Sequence, residues 1–265
     1  MQPPSLQRTI ALLVASGLAL ALAACRTEIS DRAPATPPTP AAGTSKAALQ
    51  TPSVASQSAA APTPAPATPP SVFPPGRELA LFDGKTLKGW RVTDFAGAAP
   101  VHIEAAFHGN DPAIVLDQGI MTGITWSNDL PRQNYEISME AMRVSGGDFF
   151  CGLTFPVGKD PCSFIVGGWG GGVVGLSSVD SEDAAHNETT KYMKFENGRW
   201  YRVRVRVTPE AIQAWIDDEA MVNLKLQDRT LSIRVEVEPS KPLGISTWST
   251  TGALRNLRLR TLAAP

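Results

Sequence analysis

Net charge is the first thing this 265-residue sequence lacks: 24 Lys and Arg stand against 25 Asp and Glu, leaving −1. Such a chain has no global field to draw in nucleic acid or an anionic membrane. Arg202, Arg204 and Arg206 do not alter this, because they alternate with Tyr201, Val203, Val205 and Val207 and so mark the polar face of one strand. Familiar catalytic fingerprints are also missing. There is no Gly-x-Ser-x-Gly elbow, no dinucleotide fingerprint opening a helix, and no EF-hand or zinc spacing. The glycine-rich run 167–172 lacks the Lys and following helix that a phosphate cradle needs. No stretch after Arg77 keeps a helical period.

What is present divides the chain in three. Residues 1–24 read as a signal peptide, with Arg8 as the basic flank, an apolar run from Ile10 to Leu20, and then Leu22-Ala23-Ala24 before Cys25. That is a lipobox, and the apolar run is too short for a bilayer span. Lipid on Cys25 would anchor an otherwise soluble protein, each buried methylene contributing about 0.8 kcal/mol. The expected location is the cell envelope, at the outer membrane, because Arg26 rather than an aspartate follows the cysteine. Residues 25–76 are rich in Pro, Ala, Thr and Ser and almost free of large apolar side chains, so burial cannot offset the entropy of ordering them. They read as a tether whose prolines favour polyproline II, with a reach of about 100 Å or more.

Residues 77–265 read as one all-β domain. Tyr135, Ile137 and Met139 alternate with Glu136, Ser138 and Glu140, and Leu231, Ile233, Val235 and Val237 alternate with Ser232, Arg234 and Glu236. Further strands are expected at 149–155, 162–169, 173–179, 200–207, 212–216, 221–226, 243–248 and 254–260. Gly146-Gly147, Asn197-Gly198, Thr208-Pro209-Glu210 and Asp217-Asp218 separate them at short spacing, which suits antiparallel meanders. About ten such strands predict two packed sheets, a β-sandwich or jelly roll. Cys151 and Cys162 leave two readings. Export would let a disulfide persist, whereas a tight turn near 157–160 would set Phe155 opposite Cys162 and leave two buried apolar thiols.

The run Leu81-Phe82-Asp83-Gly84-Lys85-Thr86-Leu87-Lys88-Gly89-Trp90 resembles the opening of the 3-keto-disaccharide hydrolase domain family, a concanavalin A/laminin G-like jelly roll of exported bacterial proteins. Gly244-Ile245 and the run from Thr251 to Arg260 resemble its closing strand. Gly198-Arg199-Trp200-Tyr201 and Ala214-Trp215-Ile216-Asp217 resemble paired strands of such sandwiches. The resemblance implies a glycan-acting hydrolase or lyase of 3-keto-glycosides. A non-catalytic laminin G-like module that binds carbohydrate or an envelope protein is the competing expectation. In the opening run itself the physics is structural: Asp83-Gly84 forms a turn, Gly89 permits a close backbone approach, and Phe82 and Trp90 fill the core.

Sugar sites need aromatic platforms and carboxylates. The densest polar loop, 180–188, offers Asp180, Glu182, Asp183 and Glu188 as hard oxygen ligands suited to calcium, and His186 for proton transfer or a transition metal. It reads equally as a solvated acidic loop. Glu140 and Arg143 end one strand and Asp148 opens the next. On the resemblance, a carboxylate or His from Glu140, Asp148, Asp183 and His186 would move the proton, while Arg143 or a metal polarised the keto oxygen. The plainer reading pairs the strand's carboxylates with Arg202, Arg204 and Arg206 in a cross-strand ladder. Trp126 and Trp169 are candidate sugar platforms or core residues, and Lys194 a candidate substrate contact. His102 and His108 fall in a loop-like segment without a role.

Overall fold

Strands dominate residues 73–264, which, apart from residue 110, are the part of the chain that the computed structural model describes. The signal peptide, Cys25 and the tether lie outside the described residues. The first five strands are short: β1 (Glu78–Ala80), β2 (Trp90–Val92), β3 (Val101–Glu104), β4 (Ala113–Leu116) and β5 (Met121–Trp126). Longer ones follow as β6 (Tyr135–Gly146), β7 (Cys151–Val157), β8 (Asp160–Gly168), β9 (Val173–Ser177) and the two-residue β10 (Lys191–Tyr192). The chain ends with β11 (Trp200–Val207), β12 (Ala211–Ile216), β13 (Glu219–Lys225), β14 (Gly244–Trp248) and β15 (Thr250–Thr261).

They form two antiparallel sheets. The first runs β13-β12-β11-β6-β15-β4-β3, with β1 also on β15, and the second runs β10-β9-β8-β7-β14-β5-β2. The period of two sends Tyr135, Ile137, Met139 and the valines of β11 inward, against Leu153, Phe155, Phe164 and Val166 of the second sheet. Each large side chain so buried contributes about 1.5–3 kcal/mol. The architecture is the expected antiparallel β-sandwich of jelly-roll type. Tyr135 spans the two sheets, its hydroxyl donating to the Pro156 carbonyl at 2.5 Å.

The opening run behaves as its chemistry dictates. Asp83 Oδ1 accepts from Lys85 N at 2.8 Å and Thr86 N at 2.7 Å, and Oδ2 from the Thr86 hydroxyl at 2.7 Å. These bonds, the Thr86 hydroxyl first, pull the Asp83 carboxyl down to about 2. Gly89 has φ +84°, and a Cβ there would lie 2.5 Å from Trp126 Cζ3. Trp90 is buried and donates to the Leu81 carbonyl at 2.6 Å, while Leu81 is more deeply buried than Phe82. At the other end, Gly76 N donates to Thr261 O and Thr261 N to Arg77 O, and β1 zips onto β15 with Glu78 opposite Arg260.

One open reading is decided, for two buried thiols, and two expectations are corrected. Cys151 and Cys162 are free thiols, since Cys151 faces Val166 and Cys162 faces Phe155 across β7 and β8. Both are fully buried, and burial pushes each thiol up to about 12. Residues 231–237 are not a strand: Leu231 makes one bridge to Val179, and Val235–Ser240 is a 3₁₀ turn. The period of two there reflects one side packing down, with Ile233 and Val237 covered and Val235 77% exposed. Finally, His102 sits on β3, with Nδ1 3.6 Å from Asp117 Oδ2, and His108 stacks on Phe107 in a short turn.

Candidate functional site

The outer face of the second sheet is made of small and hydroxylic residues. Thr125, Gly244, Thr154, Ser163 and Ser177 align on one rung, and Gly123, Ser246, Gly152, Ile165 and Gly175 on the next. Side chains this small leave room above the sheet, and residues 231–240 cross it as a strap. At the β9 edge, Ser178 N donates to Ser232 O at 2.7 Å and Ser232 N returns a bond to Ser178 O at 3.1 Å. At the far end, Pro239 O accepts from the Thr125 hydroxyl and from Arg91, each at 3.1 Å. Gly244 permits this approach, because a Cβ there would lie 2.7 Å from Ser240 O.

Between strap and sheet lies a cavity of about 240 Å³. Ser163 and Ser177 form part of its floor, with Arg234, Glu236 and Val237 contributed by the strap. Met121, Phe149, Trp248 and Trp169 complete the wall. The Ser163 hydroxyl bonds Thr154 at 2.8 Å, whereas Ser177 Oγ, buried at 1% exposure, has no partner among the described residues. A buried hydroxyl without a partner loses its water bonds uncompensated, so it marks a place for a polar guest.

The strap's charges are organised. Arg234 donates to Glu236 Oε1 at 2.8 Å and to Asp183 Oδ2 at 3.3 Å. The Arg234 hydrogen bond is the main reason the Glu236 carboxyl lies below its ordinary range. Asp183 Oδ1 accepts from Ala185 N at 2.9 Å and lies 2.7 Å from His186 Nδ1. Asp148 holds the other wall: Oδ1 accepts from Phe149 N at 2.8 Å and Oδ2 from Gly170 N at 3.1 Å. This pins the β8–β9 turn, where Trp169 takes φ +49°, a left-handed conformation that costs a bulky residue about 1–2 kcal/mol.

Of the residues singled out from the sequence, the structure brings Asp148 and Trp169 to the cavity and Asp183 to its margin through Arg234, with the exposed His186 behind it. Glu140 lies on the other sheet's outer face, bound by Arg255 Nε at 2.5 Å. Its neighbours there form the cross-strand ladder: Glu136 meets Arg204, Arg206 and Arg260, and Arg202 meets Asp218. Arg143 is buried, its three nitrogens donating to Asn197 Oδ1, Gly171 O and Phe195 O. Trp126 packs edge-on against Trp90 in the core, and Lys194 is exposed beyond β10. Asp180 and Glu188 both pair with Arg229, at 2.6 and 2.5 Å, and Glu182 is exposed. Bonds from Thr230 N and then Arg229 hold the Asp180 carboxyl below its ordinary value. Two carboxylates sharing one arginine do not suit calcium, and among the described residues no three His, Cys, Asp or Glu are grouped to hold a metal. Arg234, Glu236, Ser163 and Ser177 were missed; the apolar alternation around Arg234 and Glu236 mimics a strand.

The model of the family described as 3-keto-alpha-glucoside-1,2-lyase-like domain matches residues 78–260. The chain belongs to this family. As a 3-keto-alpha-glucoside-1,2-lyase-like domain it is a carbohydrate-related jelly roll, of the kind that acts on or binds glycans. No curated protein matches the sequence. Solved structures resemble it at low identity. One is apo Crh5 transglycosylase, 13% identical over 73% of this chain and 88% of that chain, with TM-score 0.49. Domain 4 of AbnA, a GH43 extracellular arabinanase from Geobacillus stearothermophilus in complex with arabinotriose, is 13% identical over 66% and 84%, with TM-score 0.44. The carbohydrate-binding module CBM66 from Bacillus subtilis is 12% identical over 65% and 96%, with TM-score 0.42. At these identities and TM-scores nothing about this chain is argued from the likeness.

Proposed function

We propose that the cavity under the strap binds a glycoside oxidised at C3 and eliminates the substituent at C1. The observation that carries this reading is that a carboxylate, an arginine and a buried hydroxyl without a partner line one cavity in a domain of this family. A ketone at C3 acidifies the proton at C2, because the carbanion left behind is an enolate. Glu236, kept ionised by Arg234, removes that proton, and Arg234 and the Ser177 hydroxyl donate to the keto oxygen as it gains charge. The electron pair then forms the C1–C2 double bond as the C1–O bond breaks, and the departing oxygen takes up a proton. Asp148 fixes Phe149 and the turn carrying Trp169 at the opposite wall of the cavity. The test is product release from 3-keto glucosides. Glu236→Gln should lower turnover at least about 100-fold, and retention of a tenth or more removes Glu236 as the base.

One observation favours a binding module instead: both Asp148 oxygens accept backbone N–H bonds and Glu236 is paired with Arg234, leaving no unengaged carboxylate in the cavity. Reversible binding of glucosides with no new product would support that reading.

The domain is further proposed to act at the cell envelope, held by lipid on Cys25. The lipobox Leu22-Ala23-Ala24-Cys25 supports this. Cys25→Ser should abolish lipid labelling and move the protein to the soluble fraction; continued labelling would exclude Cys25 as the acceptor.

A further inference from the structure

The cavity is polar at one end and apolar at the other. Ser163 and Ser177 share a rung with Thr125 and Gly244, whereas Met121 and Trp248 pair four residues further along β5 and β14. At about 3.3 Å per residue the two rungs are about 13 Å apart. The strap crosses above the polar rung, because its anchors are Ser178, next to Ser177, and Thr125. Arg234 and Glu236, lying between those anchors, therefore add their charges to the polar end. Trp169 belongs to the other end, since it follows Gly168, which pairs with Val173 four residues from Ser177. Asp148 is the one charged group there, and an N–H engages each of its oxygens.

We infer that the cavity selects glycosides whose group at C1 is apolar. The sugar ring lies against Ser163, Ser177, Arg234 and Glu236, and an alkyl or aryl aglycone runs along Met121, Phe149 and Trp248. Trp169, a residue 40% exposed in the free protein, covers the aglycone's outer side. A second sugar could lay its apolar face on an indole, but its rim hydroxyls would lose water at this end without gaining partners. This assignment rests on the reading that a sugar fills the polar end.

The probes are unoxidised hexyl and methyl α-glucosides and a glucosyl disaccharide, titrated against the full chain by calorimetry. None of them carries the C3 ketone, so binding is read apart from elimination. Hexyl glucoside should bind at least about tenfold more tightly than the other two, which corresponds to about 1.4 kcal/mol. Trp169→Ala and, separately, Met121→Gln should each bring the hexyl-to-methyl ratio within about threefold. Equal affinities, or a ratio unchanged in both variants, would overturn the inference. The 3-keto forms then separate the two ideas. Selective binding of hexyl glucoside with no cleavage of its 3-keto form keeps the apolar subsite and removes the lyase reading. Cleavage of 3-keto hexyl and methyl glucosides with the same KM removes the subsite and keeps the lyase.

Discussion

Replacing Arg234 by Gln separates a residue that builds the site from one that merely holds the strap. Its side chain is 47% exposed, and its partners Asp183 and Glu236 are 17% and 38% exposed, so solvent screens both pairs. Pairs of this kind contribute about 0.2–1 kcal/mol, and the strap keeps its backbone bonds at Ser178 and its Pro239 bonds to Thr125 and Arg91. The stability loss in guanidinium denaturation should therefore stay below about 1 kcal/mol. The effect on chemistry should be larger. A charge-assisted hydrogen bond to substrate amounts to about 1.5–3 kcal/mol, so kcat/KM on a 3-keto glucoside should fall about 10- to 150-fold. The pH profile should change as well. Arg234 holds the Glu236 carboxyl below 4.5, so its base form survives to low pH. Without the guanidinium the pKa climbs back toward that value, and the acid limb of activity moves to higher pH. A destabilisation above about 2 kcal/mol with activity within twofold would refute the reasoning and make Arg234 a structural clamp.

Gly89→Ala combines a left-handed backbone with a Cβ driven into Trp126, and should cost about 2–5 kcal/mol in denaturant unfolding; a loss below 1 would mean that the Trp90–Trp126 pair yields easily. Cys151 and Cys162 should resist thiol reagents in the native protein and react only on unfolding, because both are buried and raised to about 12; labelling under native conditions would contradict their burial. Asp83 has its carboxyl lowered from 3.8 to about 2, so its stabilisation is complete above about 4 and lost as pH falls toward 2. Asp83→Ala should flatten the acid side of the unfolding curve in that window, and an unchanged slope would show that the turn survives without the charge.

The sandwich was legible because its long strands bury one face each. β11 carries Tyr201, Val203, Val205 and Val207 inward against arginines outward, and the expected bounds 200–207 are those observed. The second sheet is harder to read, since both faces are covered and its outer face uses Gly123, Gly152, Gly175 and Ser246, residues that resemble turn signals. Strands of three or four residues, such as β1 to β4, are too short to establish a period. The site was partly hidden for a related reason. Ile233 and Val237 must pack on the sheet while Arg234 and Glu236 reach the cavity, and that demand produces strand-like alternation in a segment that crosses above the sheet instead of joining it. Asp148 and Trp169, which line the same cavity, stand out in the sequence as a carboxylate and an indole beside glycine turns.

The zipping of β1 onto β15 brings residues 76 and 77 beside residue 261, joined by backbone bonds of 3.0 and 2.9 Å. The domain's entry and exit are thus a single doorway, and nothing in its core depends on the chain being cut there. A short peptide could close the circle, and new ends could be opened at a solvent-facing turn such as Asn197-Gly198 with the same sheets re-forming. The same adjacency makes the unit portable, able to be spliced into a surface loop of another protein without prising that loop apart.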